Sequence, residues 1–406
     1  MLPQLGENDI PQITFEDLAR QYLKGFVIEK REQMVERILA DETQKNIVNA
    51  KESFEFLNHL KNYLTVFANQ NFVSQDYVLG KLKIEKSVID KLYFENYKEK
   101  TVFTRIDWIA DYICEELGFE ANQIGQIKPK VKKTLYSWLS TNDIFQIYNQ
   151  FVYNYSALFN QEIYQDFYSK YEQSFKNLNY DDISPLIYIY GYLFGFDVKK
   201  QTKHLIVDEM QDYSPLQFEL LNTIYPCAKT IVGDIYQSLY KDLTWDYLEN
   251  LSNLIGDCKL ITLNKTYRST KQINDFAFKF LPKCDVEAFN RQGEEVEVVN
   301  CDQDNLKQTL KQQLEKFTQK YNKIAIITSN KQKAKALYFI LDNENISFDE
   351  NKLGDINVLS IGQCRGLEFD AVITVLNHPT TPLNKKAMFV ASTRALHKLV
   401  VVTTTN

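Results

Sequence analysis

The spacing of apolar residues divides the chain near residue 200. From about residue 31 to 200, apolar and aromatic residues recur at helical spacing among Glu and Lys with few glycines, which predicts an all-helical block. After residue 200, short unbroken runs of Val, Ile and Leu alternate with helical stretches. Because unbroken runs are typical of strands that helices cover on both faces, this half is predicted to form parallel α/β layers.

Eight of these runs predict strands in the second half of the chain. Eight strands exceed one small sheet, so we expect two α/β lobes that meet near residues 262 to 280. The runs read "HLIVDE", "KTIVGD", "KLITLN", "EVEVVN", "KIAIITSN", "INVLSI", "DAVITVLN" and "KLVVVTT".

Composition and charge narrow the class of protein. The 406 residues exceed what one hydrophobic core supports, and 44% hydrophobic with 25% charged residues is typical of a globular protein. A net charge of −6 argues against nucleic acid over the whole surface, although it is compatible with a local basic channel. Six scattered cysteines without zinc-type spacing indicate free thiols. No apolar run reaches membrane-spanning length and no export signal begins the chain, so a cytoplasmic protein without membrane contact is expected.

Two acidic residues directly follow the run "HLIV". The predicted strand delivers Asp208 and Glu209 to its carboxyl end, where ligands of open α/β sheets bind. There Asp208 is suited to hold Mg²⁺, and Glu209 to orient an attacking water. The bare pair also fits a turn that starts a helix, since acids are favoured near helix amino termini. The full string "VDEMQD" favours the catalytic interpretation.

Two further turns carry groups suited to a nucleotide. "TIVGDIYQSLY" places Gln237 after a strand, where its amide is able to hydrogen-bond a terminal phosphate or its attacking water. "LNKTYRSTKQI" holds Tyr267, whose ring offers a face for a purine, next to Arg268, whose planar fork suits phosphate. Read alone, this string fits a surface arginine at a helix start equally well.

Two segments near the carboxyl end complete the candidate chemistry. "CRGLEFD" contains Gly366, which permits a backbone conformation or a close ligand approach that a side chain prevents. It is followed in that string by Glu368. "VASTRALHKLVVV" places Arg394 on a short helix before the last strand, a position suited to an arginine finger.

Together these motifs closely resemble the later motifs of superfamily 1 helicases of the UvrD/Rep type. The strings "VDEMQD", "VGDIYQSLY", "LNKTYRST", "CRGLEFD" and "VASTRA" match in order and spacing over residues 204 to 402. The resemblance implies an α/β fold of two RecA-like P-loop NTPase lobes, the first incomplete, with a large all-helical insertion. It also implies ATP and Mg²⁺ as cofactors.

The resemblance assigns a role to each candidate residue. Asp208 looks like the Mg²⁺ carboxylate, Glu209 like the catalytic base and Gln237 like the γ-phosphate sensor. In the second lobe it implies that Tyr267 stacks on adenine, that Arg268 and Arg394 contact the γ-phosphate, and that Gly366 and Glu368 belong to the nucleotide site.

Two positions depart from the UvrD/Rep pattern. Where these helicases carry a tryptophan that stacks on single-stranded DNA, this chain has Asp242 in "QSLYKDLTW". The histidine that commonly precedes "KGLEF" is replaced by Gly362. Both changes remove groups expected to touch DNA and leave the ATP groups intact, which argues against strand-tracking helicase action.

One branch of the superfamily is more similar still. "LPQLGENDI", "ISPLIYIYGYLFG" and "DYSPLQFELL" resemble the HelD-type proteins, helicase-like ATPases that bind bacterial RNA polymerase. In that branch the segment that corresponds to "LPQLGEND" lies shortly after the phosphate-binding loop. No G-x-x-x-x-G-K-[ST] occurs in the chain, and the nearest pair, Gly80-Lys81, lacks the flanking residues. The sequence therefore predicts a carboxy-terminal fragment, or a truncated gene product, of a longer ATPase, and this chain alone is expected not to hydrolyse ATP efficiently.

The resemblance divides the chain into four parts. Residues 1–32 are expected to be a residual segment of the first RecA-like lobe, and residues 33–200 a helical insertion. Residues 201–265 would continue the first lobe with its Walker B motif, and residues 266–406 would form the second.

Three functions remain open at this point. The first is a HelD-like ATPase that remodels RNA polymerase, with the aromatic-rich insertion as the lever that contacts the polymerase. The second is a UvrD/Rep-type helicase that unwinds DNA. The third is a non-hydrolysing interaction protein that keeps the fold to bind a partner.

Overall fold

The computed structural model describes residues 11–80, 82–119, 121–156, 177–281, 286–341, 346–348, 353–376 and 378–405. These residues form two compact units that are each discontinuous in sequence. The first unit comprises residues 11–30, 50–203 and 215–228, and the second comprises residues 31–49, 204–214 and 229–405, as far as they are described. The four-part division that the sequence predicts is defined by motifs rather than by packing, and it stays a prediction.

Helices make up most of the first unit and flank the strands of the second. They are α1 (Phe15–Tyr22), α2 (Arg31–Ala40), α3 (Glu42–Lys51), α4 (Phe54–Asn71), α5 (Lys86–Lys91), α6 (Val102–Glu116), α7 (Ala121–Tyr136), α8 (Ile144–Ser156), α9 (Tyr180–Phe194), α10 (Pro215–Ile224), α11 (Trp245–Ile255), α12 (Lys271–Phe278), α13 (Leu306–Thr318), α14 (Lys331–Leu341) and α15 (Pro382–Ser392).

Local capping explains where several of these helices begin. The Thr14 side chain accepts from the Asp17 backbone N–H while Asp17 accepts from Thr14, which forms a capping box at α1. Ser53 and Thr101 cap α4 and α6 in the same manner, each accepting from the backbone N–H three residues later. Each cap satisfies an amide that has no partner within the helix.

The block between residues 33 and 200 is not all-helical, so that prediction is wrong in this respect. β2 (Tyr77–Leu79) and β3 (Leu82–Ile84) form an antiparallel hairpin. β1 (Val27–Ile28) pairs in parallel with β4 (Asn177–Leu178). Gly80 lies at the tip of the hairpin with φ of +64°, a left-handed conformation that glycine adopts without strain.

Aromatic residues of α8 pack inside the first unit. Tyr148, Phe151 and Tyr155 are buried, and the last two rings each lie 5.3 Å from the ring of Phe56. Tyr153 on the same helix is exposed. The rest of the aromatic-rich segment, residues 157–176, lies outside the described residues. Three of the five described aromatic residues of α8 are therefore buried in the core rather than available for an interface, and Phe145 is half-buried.

A buried charge cluster lies in the core of the first unit. The Lys51 ammonium binds Asp181 Oδ2 at 2.5 Å and also binds Asp182, and the Tyr148 hydroxyl donates to Asp182 Oδ1 at 2.5 Å. All three charged side chains are essentially inaccessible to solvent. Burial raises the pKa of Asp182, because removal from water disfavours the ionised form.

We predict that Lys51→Met lowers the free energy of unfolding by about 3–5 kcal/mol, because it leaves two adjacent carboxylates buried without their cation. A raised carboxyl pKa in the folded state means that the folded variant binds more protons than the unfolded chain. Its stability therefore falls as pH rises above the ordinary Asp range. Urea denaturation at pH 5 and pH 8 measures both effects. Exposed Lys24→Met is the matched control, and equal stabilities of the two variants would contradict the prediction.

A six-stranded parallel sheet forms the centre of the second unit. In sheet order its strands are β11 (Ile346–Ser347), β12 (Ile356–Ser360), β10 (Ile324–Thr328), β13 (Phe369–Val375), β14 (Ala395–Thr405) and β9 (Glu297–Asp302).

Helices cover this sheet as the unbroken apolar runs predict. Every residue of β10 and β12 is buried. Ile326, Val358 and Ile373 pack with Leu310 of α13 and Leu337 of α14 in one cluster. Contacts of α12 and α15 with β13 and β14 add further cover. The α/β class is thereby confirmed, and five of the eight predicted strands lie in this sheet.

Two short two-stranded sheets account for the other strands of this unit. β5 (His204–Val207) and β6 (Ala228–Ile231) form one pair, in agreement with the runs "HLIV" and "KTIV". β7 (Lys265–Thr266) pairs with β8 (Glu287–Ala288). The predicted strand in "KLITLN", residues 259–264, is wrong, because this segment has no strand partner among the described residues. Its Leu260, Ile261 and Leu263 are exposed.

None of the described helices is long and apolar enough to cross a membrane.

Candidate active site

The turns after β5 and β6 pack directly against each other. The Val232 amide donates to the Val207 carbonyl, and the Met210 amide donates to the Val232 carbonyl, both at 2.9 Å. A Cβ atom at Gly233 would lie 2.3 Å from Met210 Cγ and 2.7 Å from the Met210 nitrogen. Glycine in the "VGD" string is therefore required for this close approach.

Glu209 lies at the junction of these turns in a strained conformation. With φ of 53° and ψ of 50°, it is the one non-glycine residue in the described part of the chain with positive φ. Its amide donates to Asp208 Oδ1 at 2.9 Å, and its carboxylate accepts from the Gln211 side chain. Gln211 Oε1 in turn accepts from the Asp234 amide at 3.0 Å. Gln211 therefore orients the Glu209 carboxylate and links both turns.

Arg394 reaches Gln237 from the end of α15. Its Nη2 donates to Gln237 Oε1, and its Nε donates to the Val390 carbonyl at 3.2 Å. The side chain is 1% exposed, and no described carboxylate forms an ion pair with it. Burial lowers the pKa of Arg394, and the nearby charge of Arg268 acts in the same direction. A buried guanidinium without a carboxylate partner suits an anion.

Two further predicted site residues, Arg268 and Glu368, are in direct contact. Arg268 Nε lies 2.9 Å from Glu368 Oε1, so in this structure the guanidinium binds a carboxylate. Tyr267 is 60% exposed, and its ring centroid lies 4.9 Å from that of Phe289. Phe289 is held there because its amide donates to the Thr266 carbonyl at 2.9 Å. An exposed tyrosine face of this kind is available for a planar ring to stack on.

Gly366 of the "CRGLEFD" segment lies close to the carboxylate of Glu209. Its φ is +71°, and a Cβ atom at this position would lie 3.9 Å from Glu209 Oε1. The charges of Glu209 and Glu368 both act on the pKa of Arg394. The structure thus gathers the predicted site residues Glu209, Gln237, Gly366, Glu368 and Arg394 within one compact unit.

Asp212 is a site residue that sequence reasoning missed. It forms ion pairs with Arg365, next to Gly366, and with Arg31 at the start of α2. Burial lowers the pKa of Arg365 well below its usual value, and the charge of Arg31 contributes. The signal for Asp212 was present as the last residue of "VDEMQD". Its partners Arg31 and Arg365 are 181 and 153 residues away in sequence (212 − 31 and 365 − 212). These two ion pairs could therefore not be predicted from local sequence patterns.

Two family profiles match the chain. The profile of the UvrD/REP helicase N-terminal domain matches residues 8–242, more than half of the chain. The profile of the viral superfamily 1 RNA helicase core domain matches residues 193–403, which include every predicted site residue. This chain belongs to the superfamily 1 helicases.

Individual relatives within superfamily 1 match shorter stretches. A probable DNA helicase II homolog of Mycoplasma capricolum is 35% identical over 26% of this chain and 16% of its own length. A putative ATP-dependent DNA helicase of Acanthamoeba polyphaga mimivirus is 27% identical over 51% of this chain and 35% of its own length. The chain thus spans about a third of that relative or less. A carboxy-terminal domain of a possible DNA helicase from Lactobacillus plantarum is 27% identical, covers 34% of this chain and 88% of its own, and gives a TM-score of 0.29.

The described residues of this superfamily 1 chain offer Mg²⁺ a single carboxylate at the predicted position, Asp208, rather than a complete set of protein ligands. Among the described residues, no three His, Cys, Asp or Glu side chains cluster as a metal cage. Mg²⁺ in nucleotide sites is typically held by one or two carboxylates together with phosphates and waters rather than by such a cage. Asp208, whose side chain is exposed after β5, fits that arrangement.

The two positions that depart from the UvrD/Rep pattern, Asp242 and Gly362, both lie within the described structure. Asp242 accepts from Lys386 at 2.6 Å, and its side chain is 91% exposed. At Gly362, a Cβ atom would lie 3.4 Å from the Glu32 carbonyl oxygen, an ordinary van der Waals contact. Position 242 therefore presents a charge rather than a ring, while the indole of Trp245, three residues later, is 51% exposed.

Proposed function

We propose that this chain is part of an ATP-dependent superfamily 1 DNA helicase-like motor and holds the groups that respond to the terminal phosphate of ATP. The contact between Arg394 and Gln237 carries the proposal. It joins a buried guanidinium, which has no ion pair with a described carboxylate, to an amide whose nitrogen donates to Asp234 Oδ2 at 2.9 Å. An anion with several oxygens is a suitable partner for both groups at once.

Each residue has a role in this proposal. Glu209 takes the proton from the attacking water, with its carboxylate oriented by Gln211. Gln237 hydrogen-bonds the γ-phosphate or that water, and Arg394 stabilises charge on the γ-phosphate as hydrolysis proceeds. Tyr267 stacks on adenine. Arg268 exchanges its present partner, Glu368, for a phosphate oxygen when ATP binds, and Gly366 lets the backbone approach Glu209.

Mg²⁺ would be held by Asp208, and it would supply positive charge between the phosphates. A phosphate-binding loop is also needed. The 406 residues contain no G-x-x-x-x-G-K-[ST], so backbone amides and a lysine for the β- and γ-phosphates are missing from the motifs of this chain. The proposed arrangement is two RecA-like lobes, the first incomplete, with residues 33–200 inserted into it.

We further propose that the motor is of the HelD type, acts in the cytoplasm and remodels RNA polymerase. The strings "LPQLGENDI" and "DYSPLQFELL" support this assignment. So does Asp242, which pairs with Lys386 and stands where the resemblance to UvrD/Rep helicases implies a DNA-stacking ring. The inserted helical block would contact the polymerase and transmit lobe movements to it.

The second candidate is DNA unwinding of the UvrD/Rep kind. The observation that favours it is the description of both curated relatives as DNA helicases. The missing phosphate-loop motif favours a third candidate, a non-hydrolysing interaction protein.

Stimulation of ATP hydrolysis distinguishes these functions. The assay uses a polypeptide that contains these 406 residues and a phosphate-binding loop, called the hydrolysing protein below. We expect RNA polymerase to raise its turnover several-fold and single-stranded DNA to have little effect, because Asp242 offers no stacking face. Stimulation by DNA alone would favour the UvrD/Rep candidate. No hydrolysis in either arm would favour the interaction protein.

Two controls complete this assay. A Glu209→Gln preparation removes the proposed base and reports contaminating ATPases. The 406-residue chain alone is expected to show no Mg²⁺-dependent hydrolysis above that background, and turnover of roughly 1 s⁻¹ or more would contradict the role of the loop.

A further inference from the structure

A cleft of about 640 Å³ lies in the first compact unit, away from the motifs discussed so far. It is bordered by α4, the segment from Phe94 to Arg105, and the carboxyl half of α9. Its volume is within the range of roughly 300–1,000 Å³ that is usual for small-molecule sites. All of its lining residues belong to the first unit, whereas the candidate active site lies in the second.

Cationic side chains dominate the charge of this cleft. Lys98, Lys100 and Arg105 line it together with a single acidic residue, Glu99. Both lysines and Glu99 are exposed, and the Lys100 ammonium lies 5.0 Å from the centre of the Trp108 ring. The cleft is therefore suited to an anion.

Arg105 makes the strongest case for an anionic ligand. Its side chain is 6% exposed, and Nε donates to the Lys100 carbonyl at 2.9 Å while Nη2 donates to the Lys98 carbonyl. The guanidinium also lies over the Tyr93 ring at 5.1 Å. Within the described structure no carboxylate forms an ion pair with it. Backbone carbonyls orient the group but do not neutralise it, so a buried positive charge borders the cleft with no described carboxylate bound to it.

Aromatic rings also line the cleft. Tyr188 and Tyr192 of α9 line it together with Phe196, and all three are half-buried. A Cβ atom at Gly191 would lie 1.8 Å from the tip of the Phe196 ring, so this ring rests directly on the helix backbone. Burial raises the pKa of both tyrosines, so both phenols are neutral near pH 7. Neutral rings beside cations are suited to a ligand that combines a planar aromatic system with a negative group.

We propose that this cleft binds a nucleotide, with its phosphate near Arg105, Lys98 and Lys100 and its base against Tyr188 and Tyr192. The inference is independent of ATP hydrolysis in the second unit. The same chemistry is presented by a free mononucleotide and by a nucleotide within a single strand of DNA or RNA. The experiment therefore has one arm for each source.

Photoaffinity labelling followed by peptide mapping locates the ligand. The probes are 8-azido-AMP and a short oligodeoxythymidylate that carries 5-iodouracil, each used with the 406-residue chain. The labelled peptide distinguishes the cleft, residues 94–105 and 188–198, from the candidate adenine position at Tyr267. Labelling of the cleft by azido-AMP assigns it to free nucleotides. Labelling there by the oligonucleotide alone assigns it to a single strand.

Charge reversal tests whether the cations bind the phosphate. We expect the double variant Lys98→Glu and Lys100→Glu to reduce cleft labelling about tenfold or more at limiting probe. The matched control is Lys24→Glu with Lys91→Glu, which makes the same charge change at exposed lysines of the first unit outside the cleft. Excess AMP should compete in the mononucleotide arm.

Tyr188→Leu provides an independent readout, because it removes a ring and leaves in place every charge and the hydrogen bond between Tyr192 and Arg105. We expect it to reduce labelling while circular dichroism shows the fold intact. Labelling by both probes only outside the cleft, or equal labelling in the charge-reversed and control variants, would overturn the proposal.

Discussion

Arg394→Ala is expected to reduce kcat of the hydrolysing protein by about 10³-fold or more, the usual effect of losing an arginine finger. The physical reason is the position of this guanidinium. It is 1% exposed, has no described carboxylate partner, and donates to Gln237, which follows β6 on the other side of the site. In such a dry environment a fixed positive charge stabilises developing phosphate charge far more than it does in water.

Single-turnover and steady-state ATPase assays measure this effect, and thermal unfolding monitors the fold. Since Arg394 also donates to the Val390 and Leu367 carbonyls, some loss of stability accompanies the substitution. Arg394→Lys separates the two effects, because it keeps the charge and loses the planar fork. Arg20→Ala, at an exposed ion pair with Asp17, is the matched control and should leave kcat unchanged. A folded Arg394→Ala protein with nearly normal kcat would remove this residue from the catalytic role.

A double-mutant cycle with Gln237→Ala tests the contact itself. Residues that act as a unit are not additive, so the double variant should lose little more activity than the worse single variant. Additive losses would mean that the two side chains act separately, despite the hydrogen bond between them.

The predicted strands formed where neighbouring strands bond both edges of the segment and its side chains are buried. "KIAIIT" and "INVLS" became β10 and β12, and every residue of these strands is buried. "KLITLN" is likewise a short segment rich in Leu and Ile, but strand propensity mainly reports how well a side chain packs against its neighbours. No described strand pairs with residues 259–264, and Leu263 is 84% exposed. The apolar residues therefore indicated a segment able to form a strand, but a strand also needs a neighbouring strand, which these residues do not specify.

The candidate site was predictable as a set of residues and not as a set of contacts. Motif order located Glu209, Gln237 and Arg394, because each follows or precedes an apolar run at the end of a strand. The ion pairs of Asp212 with Arg31 and Arg365 join segments that are far apart in sequence. Such contacts depend on how the whole unit packs, and local patterns contain no information about them.

Glu209→Gln is expected to preserve nucleotide binding by the hydrolysing protein and to lower kcat by roughly 10²–10⁴-fold, the contribution of a general base. The amide keeps the shape of the carboxylate but does not accept a proton from water at neutral pH. Glu209 is held for this role at some cost, since its left-handed backbone is strained and Gln211 fixes its carboxylate. The backbone N–H of residue 209 donates to Asp208 Oδ1, and the substitution leaves this hydrogen bond in place.

Equilibrium binding of a fluorescent ATP analogue and the rate of phosphate release measure the two parts of this prediction separately. The matched control is Glu249→Gln, the same change at an exposed position on α11, which should affect neither quantity. If Glu209 is the base, binding stays within about twofold of the unsubstituted protein, while phosphate release falls to the level of the preparation without Mg²⁺. Loss of binding would instead assign Glu209 a role in holding the nucleotide. Unchanged release would leave Asp208 or Asp212 as the remaining carboxylate in "VDEMQD" to be tested as the base.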